Sequence, residues 1–235
     1  MSPADGSVID VDTPLGPGRF HVQPAVDPVA TLVLGHGAGG GVQSMDLELL
    51  ARQLPPRGVT VVRFEQPWRT AGRRVAARPA QLDVGWRAAV EQLRELPWVT
   101  GRLFFGGRSA GARVACRTAT EFDVAGVVCL AFPLHLPGQP EKSRLAELLT
   151  PSAPRLVLQG GHDAFGGYAE LVTALDRAVG VTVVELAGAD HSFRTPKGGP
   201  LTPAELRATV VAEVAAFVAP QRRTTPLNPC STADS

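Results

Sequence analysis

The stretch Leu103-Phe104-Phe105-Gly106-Gly107-Arg108-Ser109-Ala110-Gly111-Ala112-Arg113-Val114-Ala115-Cys116 decides how this chain folds. Its first three residues form an apolar run of strand character, and a helix-like segment, Ala112 to Ala119, begins a few residues later. Between them Gly107, Ser109 and Gly111 make the pattern G-x-S-x-G. The two glycines permit a sharp turn and a close approach to neighbouring backbone, holding the Ser109 hydroxyl in the open at the head of a helix. The positive end of that helix favours negative charge developing nearby. A capping serine at a glycine-rich helix start is the plainer reading of the same residues. The pattern is short enough to arise by chance, so its weight comes from the strand, turn and helix around it.

Outward from this stretch, five more short apolar runs recur: Thr31 to Leu34, Thr60 to Phe64, Val127 to Ala131, Leu156 to Gln159 and Val181 to Leu186. Helical stripes fall between and after them. Leu47, Leu50, Ala51 and Leu54 share one face, as do Trp86, Ala89, Val90 and Leu93; Tyr168, Leu171, Val172 and Leu175 repeat the spacing. The last helix opens with Thr202, Pro203 and Glu205, an N-cap, a first-turn proline and a capping-box acid, and buries Leu206, Val210, Val214 and Phe217. This alternation predicts an α/β fold with right-handed crossovers and a mostly parallel sheet covered by helices on both faces. Ser7 to Asp12 and Arg19 to Gln23 flank Pro14-Leu15-Gly16-Pro17-Gly18 and read as an antiparallel hairpin at the sheet edge, for about eight strands in all.

A chain of 235 residues fits one such domain, taken as residues 1–219, and the polar segment 220–235 is expected to be a disordered tail. Hydrophobic residues make up 44%, charged residues 19%, and the net charge is +1, so neither nucleic acid nor an anionic membrane is an expected partner. A small molecule is. Met1 to Asp12 lacks the basic and apolar regions of a secretory signal, which makes the cytoplasm the expected location. Val124 to Leu136 is too short to span a bilayer and is interrupted by Pro133. Cys116, Cys129 and Cys230 are odd in number, lack metal-ligand spacing and read as buried free thiols. No phosphate-loop, H-E-x-x-H or C-x-x-C pattern occurs, so no metal and no cofactor is expected; oligomeric state is left open.

In an open parallel sheet the reactive residues lie in loops beyond the carboxyl ends of the strands. A serine needs a base, and the base needs an orienting acid. His191 follows the last strand in Gly188-Ala189-Asp190-His191-Ser192-Phe193, and Asp163 follows the preceding one in Gln159-Gly160-Gly161-His162-Asp163. Asp190, the immediate neighbour of His191, and Glu185, inside a strand, rank below Asp163 as the acid. The chain order Ser, Asp, His is that of the α/β hydrolases. Gly35-His36-Gly37-Ala38-Gly39-Gly40-Gly41 follows the first parallel strand, where such proteins place one oxyanion-hole amide; the expected pair is the amides of Ala38 and Ala110. His36 reads first as a brace for this loop. With Arg108, Arg73 and Arg74 it is also a candidate substrate contact, the last two in a loop of four arginines, Arg69, Arg73, Arg74 and Arg78, without an acid.

Gly35, Gly37 and Gly40 also spell G-x-G-x-x-G, with Glu65 ending the next strand, so a dinucleotide-binding reading competes. It leaves Ser109, Asp163 and His191 without a role.

Taken together, His36 to Gly40, Arg63-Phe64-Glu65-Gln66-Pro67-Trp68-Arg69 with Gly72-Arg73-Arg74, the Gly106-to-Ser109 elbow, Phe132-Pro133-Leu134-His135, Gln159-Gly160 with Asp163-Ala164-Phe165-Gly166, and Asp190 to Phe193 carry a resemblance. Over about Thr31 to Phe217 the chain resembles the α/β-hydrolase-like family of testis-expressed protein thirty and the hydrolase-like region of NSL-complex subunit three, related in fold to dienelactone hydrolases. Ala110 and Ala112 depart from the methionine and glycine often found there. The resemblance implies an α/β-hydrolase fold and a serine hydrolase acting on a small ester or thioester. It also implies an alternative, because the chromatin-associated branch serves as a scaffold. Between Phe132 and Pro154 there is room for one short helix, Glu141 to Leu149, and not for a lid domain.

Overall fold

The computed structural model describes residues 6–219; the expected tail, 220–235, and Cys230 lie outside the described residues. A hairpin of β1 (Ser7–Val11) and β2 (Gly18–Gln23) comes first, its turn closed by the Gly16 amide on the Thr13 carbonyl at 3.1 Å. There follow β3 (Ala30–Gly35), α1 (Met45–Gln53), β4 (Val59–Glu65), α2 (Pro67–Thr70), α3 (Pro79–Arg94), β5 (Arg102–Arg108) and α4 (Ala110–Thr118). The rest is β6 (Gly126–Leu130), α5 (Leu145–Leu149), β7 (Arg155–Gly160), α6 (Tyr168–Leu175), β8 (Val181–Leu186) and α7 (Pro203–Val218). Eight strands form one sheet in the order β1-β2-β4-β3-β5-β6-β7-β8, with β3 to β8 parallel and the hairpin antiparallel at one edge. This is the mostly parallel α/β sheet that the alternation of runs predicts, in the α/β-hydrolase arrangement that the resemblance implies.

Each central strand is buried on both faces, which is why its sequence is apolar without alternation. Val33, Phe105, Val127 and Cys129 face one side and meet Trp86, Ala89, Val90 and Leu93 of α3 and Val114 of α4. Leu32, Leu34, Phe104, Val128 and Leu130 face the other, beneath Leu47 and Leu50 of α1, Leu54 just after it, and Leu206, Val210 and Val214 of α7. Each leucine enclosed in this way contributes about 2 kcal/mol. The capping box of α7 forms as the sequence indicates: Thr202 Oγ1 accepts from the Glu205 amide at 3.2 Å, and the Glu205 carboxylate accepts from the Thr202 amide at 2.8 Å. Cys116 and Cys129 are buried free thiols with sulfurs 3.5 Å apart. Among the described residues no helix is long and apolar enough to cross a membrane.

Two helices differ from expectation. The short helix between β6 and β7 begins at Leu145, not Glu141, because the preceding residues turn instead: Lys142 N–H bonds the Gln139 carbonyl at 3.0 Å and Ser143 Oγ accepts the Leu145 amide at 3.2 Å. In α6 Leu171 is buried with Ala174 and Leu175 behind it, while Val172 is 42% exposed. Val172 lies about 100° around the helix from Leu171, beyond the narrow ledge that the edge strand β8 offers.

The sheet register brings three glycines together. Gly107 pairs across from Gly35, and the first turn of α4 lays Gly111 on the same spot. A Cβ on Gly111 would overlap the Gly35 carbonyl, and one on Gly107 would lie 2.6 Å from it. Gly39, in the following loop, has open space around its Cβ position. Gly111→Ala should therefore lower thermal stability severely or abolish folding, since backbone must move to admit the methyl group, whereas Gly39→Ala should stay within about 1 kcal/mol of the parent. Paired denaturation curves of the two variants check this.

Candidate active site

β3, β5, β7 and β8 end at the same sheet edge, and the loops leaving them meet there. Ser109 occupies the turn from β5 into α4 with φ 51° and ψ −111°, a conformation that costs a non-glycine residue of the order of 1–3 kcal/mol. Two contacts hold it. The Ser109 amide donates to the Leu130 carbonyl at the end of β6, at 2.9 Å, and its carbonyl accepts the Arg113 amide at 3.2 Å. The strained turn lifts the hydroxyl out of the helix line, and Ser109 Oγ donates to His191 Nε2 at 3.0 Å.

Asp163 follows β7 and is buried, with Oδ2 accepting from His191 Nδ1 at 2.7 Å. Its other oxygen accepts the Phe165 amide at 2.8 Å, and Gln159 Nε2 donates to Oδ2 at 3.1 Å. That arrangement leaves the imidazole with Nδ1–H toward the acid and a lone pair toward the serine, the tautomer the hydrogen bonds require. The Phe165 ring lies 4.2 Å from the imidazole, centroid to centroid, and closes one of its faces. Asp190 turns away from the imidazole and shapes the loop instead. Its Oδ1 accepts the Ser192 and Arg194 amides at 2.8 and 2.9 Å, which curls the chain around His191. The loop is also pressed against β7, where a Cβ on Gly160 would overlap the Ala189 carbonyl.

The glycine-rich loop after β3 passes beside Ser109, with the Cβ position of Gly37 3.7 Å from the Ser109 Cβ. Neither the Ala38 nor the Ala110 amide donates to a protein acceptor among the described residues, so both are free for a bound oxygen. His36 lies behind the loop, not in the cavity. Its Nδ1 donates to the Gly37 carbonyl at 2.9 Å, its Nε2 accepts the Gln66 amide at 3.1 Å, and the ring packs on Trp68. Burial lowers its pKa from the ordinary 6.5, against the raising effect of the Gly37 bond. Arg63 ties the far end of the loop through a 2.8 Å bond to the Val42 carbonyl.

A cavity of about 630 Å³ opens over Ser109 and His191, walled by Met45, Asp46, Phe165, Phe193 and Arg194. Arg108 also reaches this wall, but its guanidinium is engaged: it pairs with the buried Asp46 carboxylate at 2.6 Å, donates to the His191 carbonyl and lies over the Phe193 ring. Arg108 thus ties α1 to the histidine loop. Arg73 and Arg74 stand elsewhere, on a separate cleft. Glu65 is paired with His21 at 3.1 Å and Gly35 is covered by Gly111, so neither is available for the dinucleotide reading of the loop.

The base of α4 is braced by charge. Arg113 makes a two-point pair with Glu147 at 2.6 and 2.8 Å, and Arg117 does the same with Asp83 at 2.6 and 2.9 Å while reaching Glu147 at 2.6 Å. Burial pushes the Glu147 carboxyl up, but Arg113 and Arg117 outweigh it and hold it below the usual range. Asp46 and Asp83 are neighbours of the site that the sequence reading misses, and Gln159 enters that reading only within a motif that carries the resemblance. A signal exists for the two acids: Asp46 shares the buried stripe of Leu50 and Leu54, and Asp83 that of Trp86 and Val90. Phe165 and Arg194 leave no such trace.

A family described as alpha/beta hydrolase domain matches the chain over residues 28–219. Among solved structures, an α/β serine hydrolase without a lid from Xanthomonas campestris is similar at 23% identity, covering 94% of this chain and 99% of that one, with a TM-score of 0.71. An α/β serine hydrolase homologue from Coxiella burnetii covers 91% and 100% at 20% identity, TM-score 0.74. A dienelactone hydrolase from Anabaena variabilis covers 90% and 95% at 19% identity, TM-score 0.68. At these identities the structures share the fold.

The buried neutral His36 makes stability pH-dependent. Its pKa is lower in the folded state than in the unfolded chain, so the unfolded chain binds more protons below about pH 6.5 and acid favours unfolding. The stability advantage of the parent over His36→Gln should shrink between about pH 7.5 and about pH 5.5, as read from urea unfolding at the two pH values.

Proposed function

Since the chain belongs to the alpha/beta hydrolase domain family, we propose that it is a serine hydrolase that cleaves a small ester or thioester through an acyl-enzyme on Ser109. The observation that carries this reading is the unbroken row from Ser109 Oγ through His191 to Asp163, at 3.0 and 2.7 Å, with the serine held at positive φ. In the proposed reaction His191 Nε2 takes the hydroxyl proton as Oγ attacks the substrate carbonyl. Asp163 keeps the ring oriented and stabilises the imidazolium. The carbonyl oxygen, now negative, is held by the Ala38 and Ala110 amides, the second at the positive end of α4. His191 then gives its proton to the leaving alcohol or thiol. Water, deprotonated by the same nitrogen, repeats the attack and frees Ser109.

Access favours a small or extended substrate over a buried lipid chain. The segment between β6 and β7 carries only the five residues of α5, and the cavity over Ser109 opens to solvent. The motifs shared with the group of testis-expressed protein thirty point to that branch of the wider family, and a scaffold role is the outcome to test against.

A fluorophosphonate probe should label the parent protein and not Ser109→Ala. Turnover of short p-nitrophenyl esters should fall about 10⁴-fold in Asp163→Asn, which keeps the shape of the row but reverses the tautomer preference of His191. Equal labelling of parent and Ser109→Ala would leave the scaffold reading in possession.

A further inference from the structure

Around α2 and the loop after it, four arginines fall within ten residues with no acid among them. Several arginines near this loop have partners: Arg87 pairs with Glu121, Arg113 with Glu147, Arg117 with Asp83 and Glu147, and beside Ser109 Arg108 pairs with Asp46, while Arg94 at the end of α3 pairs with no carboxylate among the described residues. Arg69, Arg73, Arg74 and Arg78 have no carboxylate partner among the described residues. The acids that flank the loop in sequence are both committed elsewhere, Glu65 to His21 and Asp83 to Arg117.

These charges frame a cavity. Residues 71–78 join α2 to α3, and Arg73, Arg74 and Arg78 line a cleft of about 510 Å³ with Trp68, Val75 and Gln81. Val75 is 80% exposed on its wall, an apolar side chain left in water beside the arginines. The start of the loop is held by its own hydrogen bonds, Gly72 N–H to the Arg69 carbonyl at 2.9 Å and Arg73 N–H to the Trp68 carbonyl at 3.1 Å.

The cleft is coupled to the centre around Ser109. Trp68 and Ala76 line both the cleft and a narrow slot of about 10 Å³, and Ala38 and Ala110, the two residues whose amides are free, line the same slot. Trp68 packs on His36, whose ring is hydrogen-bonded into the glycine loop, and Arg69 lies against Gly41 of that loop. The cationic loop and the proposed oxyanion loop are one packed unit.

We infer that the cleft of Arg73, Arg74 and Arg78 is an anion subsite that holds a carboxylate or phosphate group carried by the substrate at a distance from its scissile bond. This rests on the esterase reading for the word substrate, but the anion site itself does not. Planar guanidiniums bind both anions in two-point fashion, and several of them facing one cleft favour a ligand with more than one charge. Exposed Val75 supplies apolar contact for the chain that leaves the anionic group, which would reach Ser109 over the surface because the slot is too small to hold it.

The test uses the full chain and the variant Arg73→Ala/Arg74→Ala/Arg78→Ala, all three side chains being exposed, with equal melting temperature as the folding check. First, calorimetric titration of inorganic pyrophosphate into Ser109→Ala protein, with and without the three arginine changes, reads the site without catalysis. Binding should weaken about tenfold or more on losing the arginines and fade in about 0.5 M sodium chloride. Second, kcat/KM is measured for a neutral p-nitrophenyl ester, a mono-p-nitrophenyl ester of a dicarboxylic acid and an acyl thioester of a phosphorylated thiol. The ratio of an anionic substrate to the neutral one should fall about tenfold or more in the triple variant, and the substrate whose ratio falls identifies the carboxylate or the phosphate as the natural group. Pyrophosphate affinity and both ratios equal to the parent's would overturn the proposal. Pyrophosphate binding that depends on the arginines, in a protein that turns over no ester, would retain the anion site and reject the esterase reading.

Discussion

Gly111 at the start of α4 lies directly on Gly35 at the end of β3, backbone on backbone, and the site is built on that contact. Without side chains between them, the helix that follows Ser109 and the loop that follows Gly35 approach closely enough for Ala38 and Ala110 to line one narrow slot. A single methyl group there would push the helix outward and separate the parts. The opposite end of the site repeats the device, with Gly160 of β7 against the carbonyl of Ala189, which brings the loops of Asp163 and His191 together. The strained dihedral angles of Ser109 persist because β6, α4 and β3 fix the chain on both sides of it.

Charge secures what the glycines permit. Arg108 joins the buried Asp46 to the carbonyl of His191, and Arg113 and Arg117 join α4 to α3 and α5 through Asp83 and Glu147. Partly buried ion pairs of this kind add little net stability over apolar packing, but they are intolerant of displacement, and here they fix the orientation of the helix that follows the Ser109 turn. The unpaired arginines after α2 lack any such internal role, which is what makes the cleft they line readable as a place for an external anion.

Much of this is legible in the chain. The apolar runs mark six strands, the hairpin forms at the edge assigned to it, and the stripes of α1, α3 and α7 become their buried faces, because periodicity responds to burial alone. The misses have local causes. Spacing alone puts Val172 on a face that the edge strand does not cover, and the residues 141–144 turn because a serine hydroxyl takes an amide that a helix would have used. Ser109, Asp163 and His191, identified by loop position and chain order, meet within hydrogen-bonding distance. Asp46 and Asp83 escape a reading by apolar stripes although each interrupts one, the mark of a carboxylate whose partner comes from far along the chain.

By itself the sequence determined the order of strands and helices, the sheet edge at which the reactive side chains gather, and the turn that exposes Ser109, since each follows from hydrophobic period or from glycine placed beside serine. The tertiary structure puts Asp163 against His191 and His36 behind the glycine loop, as the sequence ranks them, and it alone decided that Arg108 ties α1 to the histidine loop and that Arg73, Arg74 and Arg78 share a cleft. The physical reason is distance along the chain. Pairing among side chains dozens of residues apart depends on how loops pack once the sheet exists, and no local pattern of residue types encodes that packing.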